Sequence, residues 1–356
     1  MSVSARLDAY QRTHTWLGLP IAVIYKFVDD QGGYLAALIT YYGFLSLFPL
    51  LLLAVTILGF VISNHPHLQS EVIGSALAQF PIVGKQIQTD IHGYTGSGAG
   101  LAVGLIGAVY GGLGVAQAGQ NALNIAWAVP RNSRPNPLRS RLRSAAIVTA
   151  LGVGIVITTV VSALVAGAHP FGIGLDPALR VVATFGAGLI NIALFVAGYR
   201  YVTVERVSVR DVAVGAVVAG VAWEILQSIG AYYIAHKLKG AREVYGVFAV
   251  VLGIIAWIYI EALIVVICAE LNVVLCRRLW PRALLTPFTD NVSLTPADET
   301  AYDSYARAQR HKGFENIEVD FRGGDRSDPT ADGGADTSPP VRSPGHHDAG
   351  DGEGDP

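Results

Sequence analysis

Six apolar runs, each long enough to cross a bilayer as a helix, occupy the chain between residues 34 and 275. They span approximately 34–62, 101–129, 145–168, 178–201, 211–235 and 247–275. A helix needs about 20 apolar residues to cross the hydrocarbon core. The first run, YLAALITYYGFLSLFPLLLLAVTILGFVI (Tyr34–Ile62), exceeds that length without one charged side chain. Lipid offers the backbone no hydrogen-bond partners, so each run must satisfy its own N–H and C=O groups as a helix. The expected fold class is all-α, a polytopic membrane protein with six transmembrane helices in a bundle.

The placement of charge orients that bundle. Only 15% of the residues are charged, against 52% hydrophobic, and the two signs are segregated. Residues 287–356 hold 15 acidic and 6 basic side chains, whereas residues 1–286 hold 12 acidic and 19 basic ones. Fourteen of those basic residues fall on one side of the topology. Arg6, Arg12 and Lys26 precede the first span, and Arg131, Arg134, Arg139, Arg141 and Arg143 follow the second. Arg200, Arg206 and Arg210 link the fourth to the fifth, and Arg277, Arg278 and Arg282 follow the sixth. Lys85, Arg180, Lys237, Lys239 and Arg242 fall on the other side. Cytoplasmic loops carry the excess of Lys and Arg, so both termini are expected in the cytoplasm of a multi-pass cell-membrane protein. No cleavable signal peptide is expected: MSVSARLDAYQRTHTW is polar, and the first span is too long for a signal sequence.

Three regions follow. Residues 1–33 form a cytoplasmic lead-in, in which Leu19–Asp30 reads as an amphipathic interfacial helix. Residues 34–286 form the membrane domain. Its long outer loop repeats Leu68, Val72, Ala76 and Phe80 at four-residue spacing, which predicts an amphipathic helix on the outer face near 66–80. Residues 287–356 form an acidic tail too poor in apolar residues for a core, and disorder is expected. One short helix is predicted within it, at Pro296–His311, with Thr295 as N-cap and acids in its first turn.

Ionisable residues within spans are costly, and they usually face other helices or water. Glu224 sits mid-way along the fifth span, Glu261 mid-way along the sixth, and Glu270 near the sixth span's end. Glu261 and Glu270 are nine positions apart, so they point in roughly opposite directions at about 100° per residue. On the second span Gln117, Gln120, Asn121 and Asn124 share one helical face, and Glu224, Gln227 and Ser228 form a matching set on the fifth. Two arrangements are compatible with these stripes. One is interhelical hydrogen bonding, under about 1–2 kcal/mol per contact; the other is a polar pathway lined by both. A carboxylate among amides favours the pathway, since amides alone suffice as glue. Gly100, Gly104, Gly107, Gly111 and Gly114 give the second span a small-residue face that lets a neighbouring helix approach closely. Pro49 removes one backbone hydrogen bond and is expected to kink the first helix.

The sequence lacks the GxxxxGK[ST] phosphate loop and the HExxH zinc helix. His65 and His67 have no clear third ligand nearby, and neither a metal site nor a cofactor is expected. Cys268 and Cys276 would stand roughly 12 Å apart along one helix, too far for a disulfide with each other.

Four segments resemble one known family. LAALITYYGFLSLFPLLL (Leu35–Leu52) is similar to the first-helix signature of the YihY/BrkB membrane proteins. ALNIAWAV (Ala122–Val129) resembles the end of their second helix through Leu123, Asn124 and Trp127. VRDVAVGAVVAGVAWEILQSIGAYYI (Val209–Ile234) resembles the fifth span, including Asp211, Gly215 and Glu224. VYGVFAVVLGIIAWIYIEALIVVICAE (Val244–Glu270) resembles the sixth, with Tyr245, Gly246, Trp257, Tyr259, Ala269 and Glu270. Glu261 departs from that pattern. The resemblance covers about residues 34–275 and implies a six-helix inner-membrane bundle. It also brings the historical label ribonuclease BN, which the residues argue against. The chain has no HxHxDH-type metal cluster, and its matched polar residues lie in lipid.

The expected function is non-enzymatic: a transporter or exporter of a lipid-like or cell-envelope substrate along polar helix faces. The alternative is a structural or scaffolding membrane protein. Membrane lipids, the lipid-like substrate, and a second copy or another envelope protein are the expected partners, and nucleic acid is not.

Overall fold

The computed structural model describes residues 3–61, 98–134, 177–286 and 292–321, with isolated positions at 146, 154 and 289. The predicted third span, the outer-face helix near 66–80, His65 and His67, Arg139 to Arg143 and the tail beyond Phe321 lie outside the described residues. Among the described residues every regular element is helical. We number the α-helices α1 (Val3–Thr13), α2 (Thr15–Asp29), α3 (Gly32–Val61), α4 (Gly98–Ala126), α5 (Pro177–Val202), α6 (Val209–Arg277) and α7 (Pro296–Ala308).

The helices α3, α4 and α5 coincide with the first, second and fourth predicted spans to within a few residues. The predicted fifth and sixth spans differ from expectation, because a single helical assignment runs without a break from Val209 to Arg277. Its intervening stretch, KLKGAREVYG, holds no proline but two glycines, Gly240 and Gly246. The two arms nevertheless lie side by side. Gly215 N donates to Asn272 Oδ1 at 2.7 Å, 57 residues further on. A straight helix would separate those positions by about 85 Å, so the axis reverses between them. The arms Val209–Gly230 and Val251–Arg277 are each long and apolar enough to cross a membrane.

α3 packs chiefly on α4, and small residues set the distance. A Cβ at Gly107 would stand 2.6 Å from Pro49 Cγ, and one at Gly111 2.6 Å from Ser46 Cα. A Cβ at Gly114 would stand 2.7 Å from Tyr42 Cγ. These three glycines lie three or four residues apart on one face, so the α4 backbone lies directly against α3. Pro49 sits inside α3, and its ring fills the space that Gly107 leaves.

The larger core lies at one end of the bundle. It joins Ala22 and Val23 of α2, Leu123 and Ala126 of α4, and Tyr199 and Val202 of α5. Val212, Ala216 and Ala219 of the first α6 arm meet Ala269, Val273 and Val274 of the second there, together with Ala301 of α7. Away from this end many large apolar side chains are exposed. They include Leu105, Ile106, Val109 and Tyr110 on α4, and Val214, Val217, Val221, Ile225 and Ile229 on α6. Soluble monomers rarely leave so much contiguous apolar surface in water; lipid contact accounts for it.

α7 forms where the sequence predicts the tail's one short helix, at Pro296–His311. Thr295 Oγ1 accepts from Asp298 N at 3.1 Å, Asp298 Oδ2 accepts from Thr295 N at 3.0 Å, and Pro296 opens the helix. The cap and its residues follow the sequence expectation, but the helix is not a free segment. Ala297, Asp298 and Ala301 are buried, which brings residues 292–321 into the folded body. The tail's low apolar content concealed this, because a charged side chain makes the decisive contact.

Candidate functional site

The end of the bundle that holds the larger core is built around buried charges. Lys26, on the inner face of α2, is 1% exposed, and Glu270, four residues before Val274, is fully buried. Lys26 Nζ lies 2.5 Å from Asp30 Oδ2, one helical turn along, and 3.2 Å from Glu270 Oε2. Next to them Arg282, also 1% exposed, donates through Nε to Asp298 and lies 3.2 Å from Asp29 through Nη2. Asp298 further accepts from Ala283 N at 2.9 Å and from Thr295 Oγ1 at 2.8 Å. Gln11 of α1 donates to Arg282 O, and Tyr25 of α2 to Leu284 O. Asp8 Oδ1 accepts from Leu284 N at 2.8 Å. Helices α1, α2, α6 and α7 and the link 279–286 are therefore joined by one polar network.

Four carboxylates share two cations here, and the titration of the groups outside the spans reflects that. Burial raises Asp30 above the usual carboxyl range, although Lys26 pulls it down. Burial likewise raises Asp29 against the opposing pull of Arg282. Lys26 is destabilised as a cation by burial, but Glu270 and Asp30 outweigh that and its pKa is raised. Burial also raises the Tyr305 phenol, whose hydroxyl lies 3.4 Å from Asp29. Salt bridges of this kind contribute little net stability, yet losing one partner leaves an uncompensated charge.

The polar stripe of α4 turns toward the end of α5. Gln120 Nε2 donates to Val202 O at 3.4 Å, and Asn124 Oδ1 accepts from Val204 N at 3.1 Å. Asn121 Oδ1 accepts from Arg134 at 3.1 Å, and Gln117 is half-buried a turn earlier. Glu224 is placed elsewhere. It is exposed on the first arm of α6, where Oε1 accepts from Asn191 Nδ2 of α5 at 2.8 Å. Ser228 Oγ donates to the Glu224 carbonyl at 2.8 Å, and Gln227 is half-buried beside it. Hydrogen bonds of the two stripes thus reach α5 at different levels, that of Glu224 at Asn191 and those of Gln120 and Asn124 at its end. Glu261 is half-buried a turn beyond the buried Trp257. Glu270 belongs to the network around Lys26.

Asn191, Lys26, Asp29, Asp30, Arg282, Asp298 and Asn272 were not singled out from the sequence. Lys26 and Arg282 counted there only as positive charges flanking spans. One local signal was present: Lys26 and Asp30 stand four apart, with the acid directly before the first span. Among the described residues no group of three or more His, Cys, Asp or Glu side chains is arranged to hold a metal ion.

Residues 23–287 match the protein family described as virulence factor BrkB. The chain is 26% identical over 297 residues to a UPF0761 membrane protein of Psychrobacter sp. (strain PRwf-1), covering 79% of this chain and 53% of that protein. It is 32% identical over 120 residues to a UPF0761 membrane protein of Alteromonas mediterranea, covering 34% of this chain and 40% of that protein. The chain thus spans about half the length or less of these curated relatives. No solved structure matches.

Proposed function

The chain is a membrane protein of the virulence factor BrkB family, and from that premise we propose that it moves a lipid-like or cell-envelope substrate across the membrane along polar helix faces. The observation that carries this reading is Glu224. A carboxylate on a lipid-facing helix surface costs about 2.5–3.5 kcal/mol even by the lower scales. Here it stands exposed among Val217, Val221, Ile225 and Ile229, with Asn191 of the neighbouring helix as its hydrogen-bond donor. A lipid keeps its tails in the bilayer and needs a polar lane only for its headgroup. An acid and an amide side by side on an outward face offer such a lane, open sideways to lipid.

In this reading the chain makes six spans with both termini in the cytoplasm, and it is not an enzyme. Without a nucleotide-binding motif, uphill movement draws on an ion gradient or a partner ATPase, with Glu224 as the proton or cation site. Scaffolding is the second reading. It is favoured by Gln120 and Asn124, which direct hydrogen bonds to the main chain at Val202 and Val204 rather than toward an open path.

The test is movement of fluorescent phospholipid between leaflets of proteoliposomes, comparing wild type, Glu224→Gln and empty vesicles. Protein-dependent movement lost in Glu224→Gln, with the fold intact by circular dichroism, is the expected result. No movement with well-folded wild type would turn the reading to scaffolding.

A further inference from the structure

Beside the buried network lies an open cavity of about 400 Å³ lined by Arg12, Arg278, Trp280, Thr295, Ala297 and Thr300, among others. We infer that this cavity is a binding site for a phosphate group, carried by an anionic phospholipid headgroup or supplied as free phosphate. Its depth relative to the bilayer follows from the chain. Arg278 and Trp280 come directly after the apolar arm that ends at Arg277, so they stand at the level of the headgroups. Trp at that level and basic residues behind it are what such a boundary selects.

Two further observations point to a ligand. The first is the state of the two arginines. Arg12 is held in place by Asp8 at 2.8 Å and by the carbonyl of Ser293 at 3.3 Å. Arg278 is exposed and makes no side-chain ion pair or hydrogen bond with any described residue. The cavity therefore has one anchored guanidinium and one free one, a donor set that matches phosphate oxygens. Thr300, exposed on α7, lines the cavity with its hydroxyl donating to Pro296 O at 2.7 Å, so the two guanidinium groups are what the cavity offers an anion. The acids near the cavity are already engaged or lie outside its lining: Asp8 on Arg12, Asp298 on Arg282, and Glu299, which is exposed on the first turn of α7.

The second observation is backbone conformation. Arg278 caps α6 in the left-handed region, at φ 54° and ψ 46°, with its N–H bonded to Val274 O. Glycine is the residue this position favours, because a Cβ crowds the following carbonyl. An arginine where glycine would be relaxed points to its side chain as the reason it stands there.

Arg278→Gly should relax the cap and leave the protein as stable as wild type or more so, yet weaken the site. Detergent-purified full-length protein would be titrated with dihexanoyl phosphatidylglycerol, dihexanoyl phosphatidylcholine and sodium phosphate, followed by calorimetry. Wild type is expected to bind the anionic lipid saturably. Arg278→Gln and Arg278→Gly should each weaken that binding by about tenfold or more, as loss of a charge-assisted hydrogen bond implies. Arg307→Gln, on α7 but outside the cavity, should bind as wild type does. If free phosphate competes with the lipid, the phosphate group alone suffices for recognition; if it does not, the rest of the lipid headgroup is required, and either result upholds the site. Absence of saturable binding by wild type, or binding by both Arg278 variants as tight as that of wild type, would overturn it.

Discussion

Replacing Asp298 with alanine should release α7 from the membrane body. Asp298 is fully buried and is the common acceptor for Arg282 Nε, Ala283 N, Thr295 N and Thr295 Oγ1. Without it the Arg282 guanidinium, 1% exposed, keeps one ion-pair partner, Asp29 at 3.2 Å, and the face of the Tyr302 ring, while Nη1 has no hydrogen-bond partner even in the intact chain. Removing one partner of a buried pair costs about 3–5 kcal/mol. At about 1.4 kcal/mol per factor of ten, the undocking equilibrium of α7 rises roughly 140- to 4,000-fold. Hydrogen exchange of α7 and of residues 281–286 in detergent or nanodiscs reads that change directly, as lost protection confined to this end of the chain. Glu299→Ala, exposed in the same turn, serves as the control and should stay close to wild type. The double substitution Arg282→Met with Asp298→Leu should regain much of the protection, because it leaves no buried charge. Protection in Asp298→Ala within about threefold of wild type, less than 1 kcal/mol, would refute the reasoning that this aspartate clasps the helix.

Three further outcomes are expected. Gly111→Ala should lower the thermal midpoint, since its Cβ meets the Ser46 main chain and overpacking costs about 1–3 kcal/mol; Gly119→Ala, with nothing within 4 Å, should be neutral or slightly stabilising by the same melting assay. Lys26→Met should destabilise by about 3–5 kcal/mol by stranding Asp30 and Glu270, with part recovered when Glu270→Gln is added, as read by thermal unfolding. The pH dependence follows from the raised values. A lysine held above its ordinary 10.5 stabilises the fold below that pH and loses its contribution as pH climbs through the folded value, so the gap between wild type and Lys26→Met should close at strongly alkaline pH. Asp29 and Asp30, raised above 3.8, bind protons more tightly folded than unfolded; their contribution grows as pH falls, and mild acid should not weaken the α2 end through them.

Local pattern explains what could be read from the sequence. The uncharged length of α3, the glycine face of α4 and the Thr295–Asp298 cap of α7 each depend on neighbours a few residues apart, and such spacing is visible in one chain. The network depends on pairs separated by most of the chain: Gln11 with Arg282 at 271 positions, Asp29 with Arg282 at 253. Single-sequence periodicity carries no information about such distant partners. A flanking cation also reads the same whether it is solvated or buried, so Lys26 and Arg282 entered only as markers of orientation. The polar stripes show the converse case. Their helical faces were legible, but which helix each face meets depends on packing, and both direct hydrogen bonds to α5 or its end.

The measurement that tests the central claim most directly is lipid movement in proteoliposomes across the Asn191–Glu224 cycle: wild type, Asn191→Leu, Glu224→Gln and the double variant, at equal reconstitution and with intact helical content. If the exposed pair forms the lane for a headgroup, each single variant should slow protein-dependent movement, and the double should be no slower than the worse single, because the two side chains act as one unit. If all four move lipid at the same rate, or if wild type moves none above empty vesicles, the pair only joins α5 to α6 and the transport account is contradicted.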